Sequence, residues 1–242
     1  MQHRRRSFRS IAALLAPLAI CACAEGEYRI PYVDGTRVAV VTDHFTHDTP
    51  DAAMYDLVAV DGPGIVAAAA PGWVRYIEDG HSANSTERSI PNNYVWIEHP
   101  GDWCQPRGDE VLAPGLPRPP RDCVPCDREY CNEWTIYAHM VEGSVTGAAP
   151  LGAGLKEGDW VEAGQPLGIE GDVGFASGRH LHFFVARIDP NVAPDEFGYY
   201  LDWIASMGAD PLAPELIPRV CAGGSEPELL HAGSTYTAAP CP

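Results

Sequence analysis

Gly178-Arg179-His180-Leu181-His182-Phe183-Phe184-Val185-Ala186 sets the reading of this chain. The residues after the histidine pair are apolar and β-favouring, so the stretch reads as a strand. On a strand, residues i and i+2 point to the same face. His180 and His182 are therefore expected to project side by side. Two adjacent imidazoles suit a metal ligand next to a group that handles a proton. They equally suit two hydrogen-bonded histidines on a half-exposed strand, and the pair alone does not choose.

Working outward, short apolar runs with Gly, Pro and Asp between them recur along the chain. Arg37 to Thr42, Ala53 to Val60, Gly64 to Ala69, Gly72 to Glu78, Tyr94 to Glu98, Trp134 to His139, Trp160 to Val161, Pro166 to Glu170 and His182 to Arg187 read as strands. Turn signals at this spacing predict an all-β fold, an antiparallel sandwich or open barrel-like domain over 37–190. Residues 99–133 interrupt the pattern. They are rich in Pro, Gly and Arg and carry Cys104, Cys123, Cys126 and Cys131. A structureless loop of that length is unusual, so a cross-linked hairpin insertion is expected. Residues 191–242 read as a C-terminal extension. It holds a short helix over Phe197 to Met207 and then an irregular Pro- and Ala-rich tail, which a Cys221–Cys241 bridge would pin.

The N-terminus has the pattern of an export signal over 1–23, followed by a linker over 24–36. Arg4, Arg5, Arg6 and Arg9 precede an apolar run from Ile11 to Ile20 that is too short to span a bilayer. Ala22-Cys23-Ala24 fits two endings. Cleavage after Ala24 obeys the small-x-small rule, while Ile20-Cys21-Ala22-Cys23 resembles a lipoprotein box with Cys23 lipidated. The expected location is the periplasm or cell envelope, with membrane attachment through Cys23. Arg5-Arg6-Ser7-Phe8 also resembles part of a twin-arginine signal.

Beyond the signal six cysteines remain: Cys104, Cys123, Cys126, Cys131, Cys221 and Cys241. An even number in an oxidising compartment points to disulfides. Cys123-x-x-Cys126 with Cys104 and Cys131 is also a possible structural zinc set. The formal charge is −17 for the whole chain, which has 33 acidic and 16 basic residues. Residues 1–22 hold four of those arginines and no acid, which leaves 12 basic residues against 33 acidic, or −21. That balance argues against nucleic-acid partners and against electrostatic binding to anionic lipid.

A catalytic zinc site needs about three protein ligands and an open position. Upstream of the histidine pair stands Asp43-His44-Phe45-Thr46-His47-Asp48, then Met54-Tyr55-Asp56-Leu57-Val58. Asp56 lies within an apolar strand, where a carboxylate is costly unless paired or bound to a cation. A third element is Tyr137-Ala138-His139. No His-Glu-x-x-His helix is present, so a glutamate base of the usual zincin kind is not on offer.

These motifs in this order resemble the lysostaphin-type (LytM-like) zinc peptidases that cut peptidoglycan, also called the duplicated hybrid motif or M-twenty-three family. His47…Asp56, Tyr137-Ala138-His139 and His180-Leu181-His182-Phe183 carry the resemblance. Gly64-Ile65-Val66-Ala67-Ala68, Asn93-Tyr94-Val95-Trp96-Ile97-Glu98-His99 and Gly158-Asp159-Trp160-Val161 resemble its framework. Residues 37–190 are covered. The resemblance implies an antiparallel all-β peptidase domain. It implies one Zn2+ per chain held by His47, Asp56 and His182, with His139 and His180 as the catalytic pair. It implies a zinc metalloendopeptidase acting on peptidoglycan stem or cross-bridge peptides. Two departures stand out. The spacer between His47 and Asp56 is long, which leaves His44 as a rival ligand. Phe184 stands where many relatives carry an acid.

The alternative function is a non-hydrolytic envelope-binding or regulatory protein of the same fold, although all five family residues are present. His81 and His231 are expected at the surface. His99 is expected to be structural, and Trp73, Tyr76, Trp96 and Trp160 are expected in the core.

Overall fold

A computed structural model describes residues 28–43, 46, 54–86, 91–99, 133–149, 152–187 and 218–242. The expected export signal, the expected Cys-rich insertion beyond His99, the predicted helix at 197–207, His44 and His47 lie outside the described residues. Within them the chain is all strand and turn, with no helix.

Alternating or continuous apolar runs give the strands. These are β1 (Tyr28–Arg29), β2 (Arg37–Thr42), β3 (Met54–Ala59), β4 (Ile65–Ala67), β5 (Gly72–Glu78), β6 (Asn84–Ser85) and β7 (Tyr94–Glu98). They continue as β8 (Glu133–Ala138), β9 (Trp160–Val161), β10 (Pro166–Ile169), β11 (Gly174–Phe175), β12 (Leu181–Arg187), β13 (Val220–Cys221) and β14 (Thr235–Thr237). Eight of them form one open antiparallel sheet in the order β14-β2-β3-β12-β8-β7-β5-β9. The expected all-β, antiparallel, unclosed architecture is what the chain adopts. Three two-stranded pieces, β1-β13, β4-β10 and β6-β11, complete it.

β12 lies centrally, between β3 and β8. Leu181, Phe183, Phe184 and Val185 are all buried there, as a strand covered on both faces requires. Tyr137 of β8 packs on Phe183, with ring centroids 5.4 Å apart, and its hydroxyl accepts the Ala69 N–H at 2.8 Å. Tyr28, Tyr32, Tyr55, Trp96, Leu57, Ile97 and Ile136 fill the same core. Trp73 and Trp160 do not join it. They lie 42% and 38% exposed near the β9 edge and pack edge-to-face on each other.

The C-terminal tail is not simply irregular. Thr235–Thr237 adds an edge strand to β2, and Val220–Cys221 pairs in parallel with Tyr28–Arg29. A Cys221–Cys241 disulfide closes this segment. It constrains a loop of 20 residues, worth about 3 kcal/mol through the unfolded chain. Replacing both cysteines by serine is expected to lower unfolding free energy by about that amount in a urea titration. An unchanged midpoint would show that the bridge adds nothing.

His99 is fully buried, as its structural reading expects. Nδ1 sits 2.8 Å from the Pro71 carbonyl and Nε2 3.0 Å from Thr135 Oγ1. Burial pushes its pKa down to about 4, against weaker opposing effects of the Pro71 carbonyl and Glu98. Between pH ~6.5 and about 4 the unfolded chain binds a proton that the folded chain refuses. The stability is complete above that window and falls as pH drops through it, by about 3 kcal/mol. A His99→Gln variant is therefore expected to be less stable at pH 7.5 but to have the shallower pH slope. Parallel slopes in denaturant titrations would contradict this.

Candidate metal centre

The sheet register builds the site. β12 places His182 directly opposite Asp56 of β3 on one side and Ala138 of β8 on the other. His139 follows β8, and His180 precedes β12 with a bridge to Gly171. Four of the predicted site residues, Asp56, His139, His180 and His182, therefore meet at one point. His47 and its rival His44 are not described. What is described is their approach: Thr46 N–H donates to Asp43 Oδ1 at 3.1 Å, and Asp43 Oδ2 accepts from Ala232 N at 2.9 Å.

His182 Nδ1 lies 2.8 Å from Asp56 Oδ1, and His180 Nε2 lies 3.6 Å from the same oxygen. The two histidines of the His-x-His pair thus converge on one carboxylate, as residues on one strand face should. Asp56 Oδ2 accepts the Thr42 hydroxyl at 2.6 Å. Burial pushes the Asp56 carboxyl up. The hydrogen bond from His182, the neighbouring His182 and His180 charges and Thr42 outweigh it, and its pKa falls well below the ordinary carboxylate value. Asp56 is therefore an anion with one oxygen fixed and the other aimed into the site.

His139 is held more tightly. It is 6% exposed, and its φ is +66°, the one left-handed non-glycine residue among those described. Histidine tolerates that region better than most residues, and such backbone outliers cluster at functional sites. Its backbone N–H donates to Asn92 Oδ1 at 3.1 Å, and its Nδ1 donates to the Val173 carbonyl at 2.7 Å. His180 Nδ1 likewise donates to the Gly178 carbonyl at 2.8 Å. A carbonyl only accepts, so both rings carry a proton on Nδ1, which leaves Nε2 as the nitrogen for a ligand or a base. The rings sit 4.6 Å apart between centroids. Burial, then repulsion from His180 and His182, pushes the His139 pKa down to about 3. It is neutral at physiological pH.

Chemically this is a donor set for a transition metal. One ring nitrogen from each of His139, His180 and His182 lies within 4.8 Å of the others, with the Asp56 carboxylate beside them. Neutral imidazoles plus one anionic oxygen are the ligands zinc takes. Thr42, Asn92 and the Val173 and Gly178 carbonyls orient those groups. Sequence reading does not find them, because each acts through a contact set by tertiary structure. His81 is half-buried against Glu78 and His231 is exposed; neither joins the site.

No protein-family model matches the chain, nor does the sequence of a curated protein. Solved structures do match. A zinc-containing peptidase from Vibrio cholerae is 17% identical with a TM-score of 0.37, covering 70% of this chain and 41% of that one. The M23 metalloprotease pseudoalterin, from the deep sea, is 16% identical with a TM-score of 0.35, covering 69% and 74%. The catalytic domain of lysostaphin from Staphylococcus simulans is 16% identical with a TM-score of 0.32, covering 72% and 93%. The chain thus spans about two fifths of the Vibrio cholerae peptidase. M23 and lysostaphin are names of the family that the motifs of this chain resemble. At such identities the chemistry has to be read from the side chains themselves.

Proposed function

We propose that this chain is an exported zinc metalloendopeptidase that hydrolyses peptide bonds in peptidoglycan stem or cross-bridge peptides. The observation that carries the reading is the convergence of the Asp56–His182 pair with His139 and His180. One side of that cluster is an anion with a histidine in contact. The other side offers His139, neutral and able to accept a proton on Nε2, and His180, whose Nδ1 is likewise committed to a carbonyl. Asp56 and His182 would hold the zinc with a third ligand, assigned to His47 by the motif. When bound, zinc supplies Lewis acidity to a peptide carbonyl and lowers the pKa of water toward ~7.

The residues of the chain do the rest. Nε2 of His139 or His180 takes the proton from the attacking water, whose oxygen bonds to the carbonyl carbon. The imidazolium so formed donates to the developing oxyanion, then gives the proton to the leaving amine as the C–N bond breaks. The Nδ1 bonds to Val173 and Gly178 keep both rings in the tautomer this requires. The N-terminal motif supports delivery to the cell envelope, with attachment through Cys23. The acidic surface fits neither nucleic acid nor anionic lipid as a partner.

The test is direct. The purified protein should bind one equivalent of zinc and release soluble peptides from peptidoglycan, and chelation followed by zinc addition should abolish and restore release. One equivalent of zinc with no release from several peptidoglycan chemotypes would favour the non-hydrolytic envelope protein instead.

A further inference from the structure

Beside the catalytic pair lies an ion pair with a buried carboxylate that this chemistry does not use. The Glu170 side chain is 0% exposed. Its Oε2 accepts the Tyr32 hydroxyl at 2.5 Å and the Ala59 N–H at 2.8 Å. Its Oε1 faces Arg179, with Nε at 2.9 Å, and has no other partner among the described residues. Arg179 is 43% exposed, and its guanidinium also donates to the Ala59 carbonyl at 2.9 Å and the Gly62 carbonyl at 3.4 Å. A buried carboxylate is costly, and as a stabilising device an ion pair of this kind is weak evidence. Its position is more informative.

The backbone at Glu170-Gly171 is wedged between the two catalytic histidines. Glu170 bridges to Met140, the residue after His139, and the Val141 N–H donates to the Ile169 carbonyl at 2.9 Å. Gly171 bridges to His180, whose N–H donates to the Gly171 carbonyl at 2.9 Å. A side chain at Gly171 would strike the His139 carbonyl at 2.6 Å, so the approach needs glycine there. Gly64, at φ +67°, similarly leaves room for the Glu170 carboxylate, which a Cβ would meet at 2.9 Å. Arg179 is the residue immediately before His180. Ala59 ends the strand that carries Asp56. Glu170 thus ties together the ends of the three segments that present Asp56, His139 and His180: its carboxylate holds Ala59 and Arg179, and its backbone holds Met140.

We infer that Glu170 and Arg179 are positioning residues, whose ion pair sets the His180 ring relative to His139 and Asp56. The inference rests on the proposed peptidase reading for its kinetic consequence, but its structural consequence stands alone. Neither residue reaches the metal ligands directly. Loss of the pair frees the Gly178–His180 turn, and a misplacement of about 1 Å at a reacting group costs on the order of 100-fold.

The experiment compares Arg179→Ala, Glu170→Gln and the double variant in the zinc-loaded protein. Glu170→Gln keeps the shape, and the double variant removes both charges, so it leaves no unpaired buried ion if Arg179→Ala does not fold. The expected result is a fall in kcat of tenfold or more with KM within twofold and zinc still at one equivalent. The double variant should be no worse than the worse single variant, as expected of residues that act as a unit. Histidine-ring NMR signals should shift or broaden for His180 and stay fixed for His99. Unchanged kcat and unchanged His180 signals, with only a lowered melting temperature, would overturn the inference. If the wild type releases no peptide, the peptidase reading fails, and the His180 signals alone decide whether the pair positions that ring.

Discussion

His180→Ala is expected to lower peptide release by 10² to 10⁴-fold, the usual contribution of a positioned general acid–base, while zinc stays at one equivalent. The division follows from geometry. His182 contacts Asp56 at 2.8 Å, whereas His180 stands off at 3.6 Å and is anchored instead by the Gly178 carbonyl. Removing His180 takes away an imidazole Nε2 and leaves the 2.8 Å Asp56–His182 contact in place. KM should change little, because the imidazole matters most where charge develops. His139→Ala should cause a comparable loss. The double variant should lose little more than either alone, since a proton relay with one member missing is already broken. The checks are peptide release by chromatography and zinc by mass spectrometry on the same preparations. Zinc lost along with activity would make His180 a ligand. Activity within threefold of wild type would remove it from the chemistry.

Strands were legible where alternation and turn residues agree. Arg37–Thr42, Gly72–Glu78 and Tyr94–Glu98 form over the residues their patterns predict. The shared side of His180 and His182 followed from the period of a strand, and β12 begins at Leu181, one residue before the expected start at His182. Thr235-Tyr236-Thr237 gave no such signal. It is three residues long amid Gly, Ala and Pro, and it becomes a strand only because β2 offers an unpaired edge. The two-residue β1 and β13 were invisible for the same reason. Trp73 and Trp160 misled in the other direction: their size suggests core, but they sit near a sheet edge, packed on each other and 42% and 38% exposed. At the site, ligand-type residues were legible because their chemistry is rare. Thr42, Asn92, Glu170 and Arg179 were not, because a threonine or a glutamate acquires its role from what the fold puts beside it.

Asp56→Ala should be the most severe substitution for metal binding, lowering zinc affinity by about 100-fold or more. Loss of an outer partner of a ligand already costs 10 to 100-fold, and a ligand itself should cost more. Asp56 is the anion of the described cluster, held ionised by His182, His180 and Thr42 despite its burial. Without it a dication would face imidazoles with no anion among the described cluster, in a largely buried site, which is electrostatically poor. Thr42→Ala tests the same point at smaller amplitude. It leaves the carboxylate in place but frees the oxygen now held at 2.6 Å, so a loss within the 10 to 100-fold range is expected. Zinc titration with a competing chelator measures both. The two variants also decide between ligand sets. If Asp56→Ala keeps its zinc while His139→Ala and His180→Ala lose theirs, the metal sits among the three imidazoles that converge within 4.8 Å. If Asp56→Ala loses it and those two keep it, the carboxylate and His182 hold the metal and the other histidines are left for the proton.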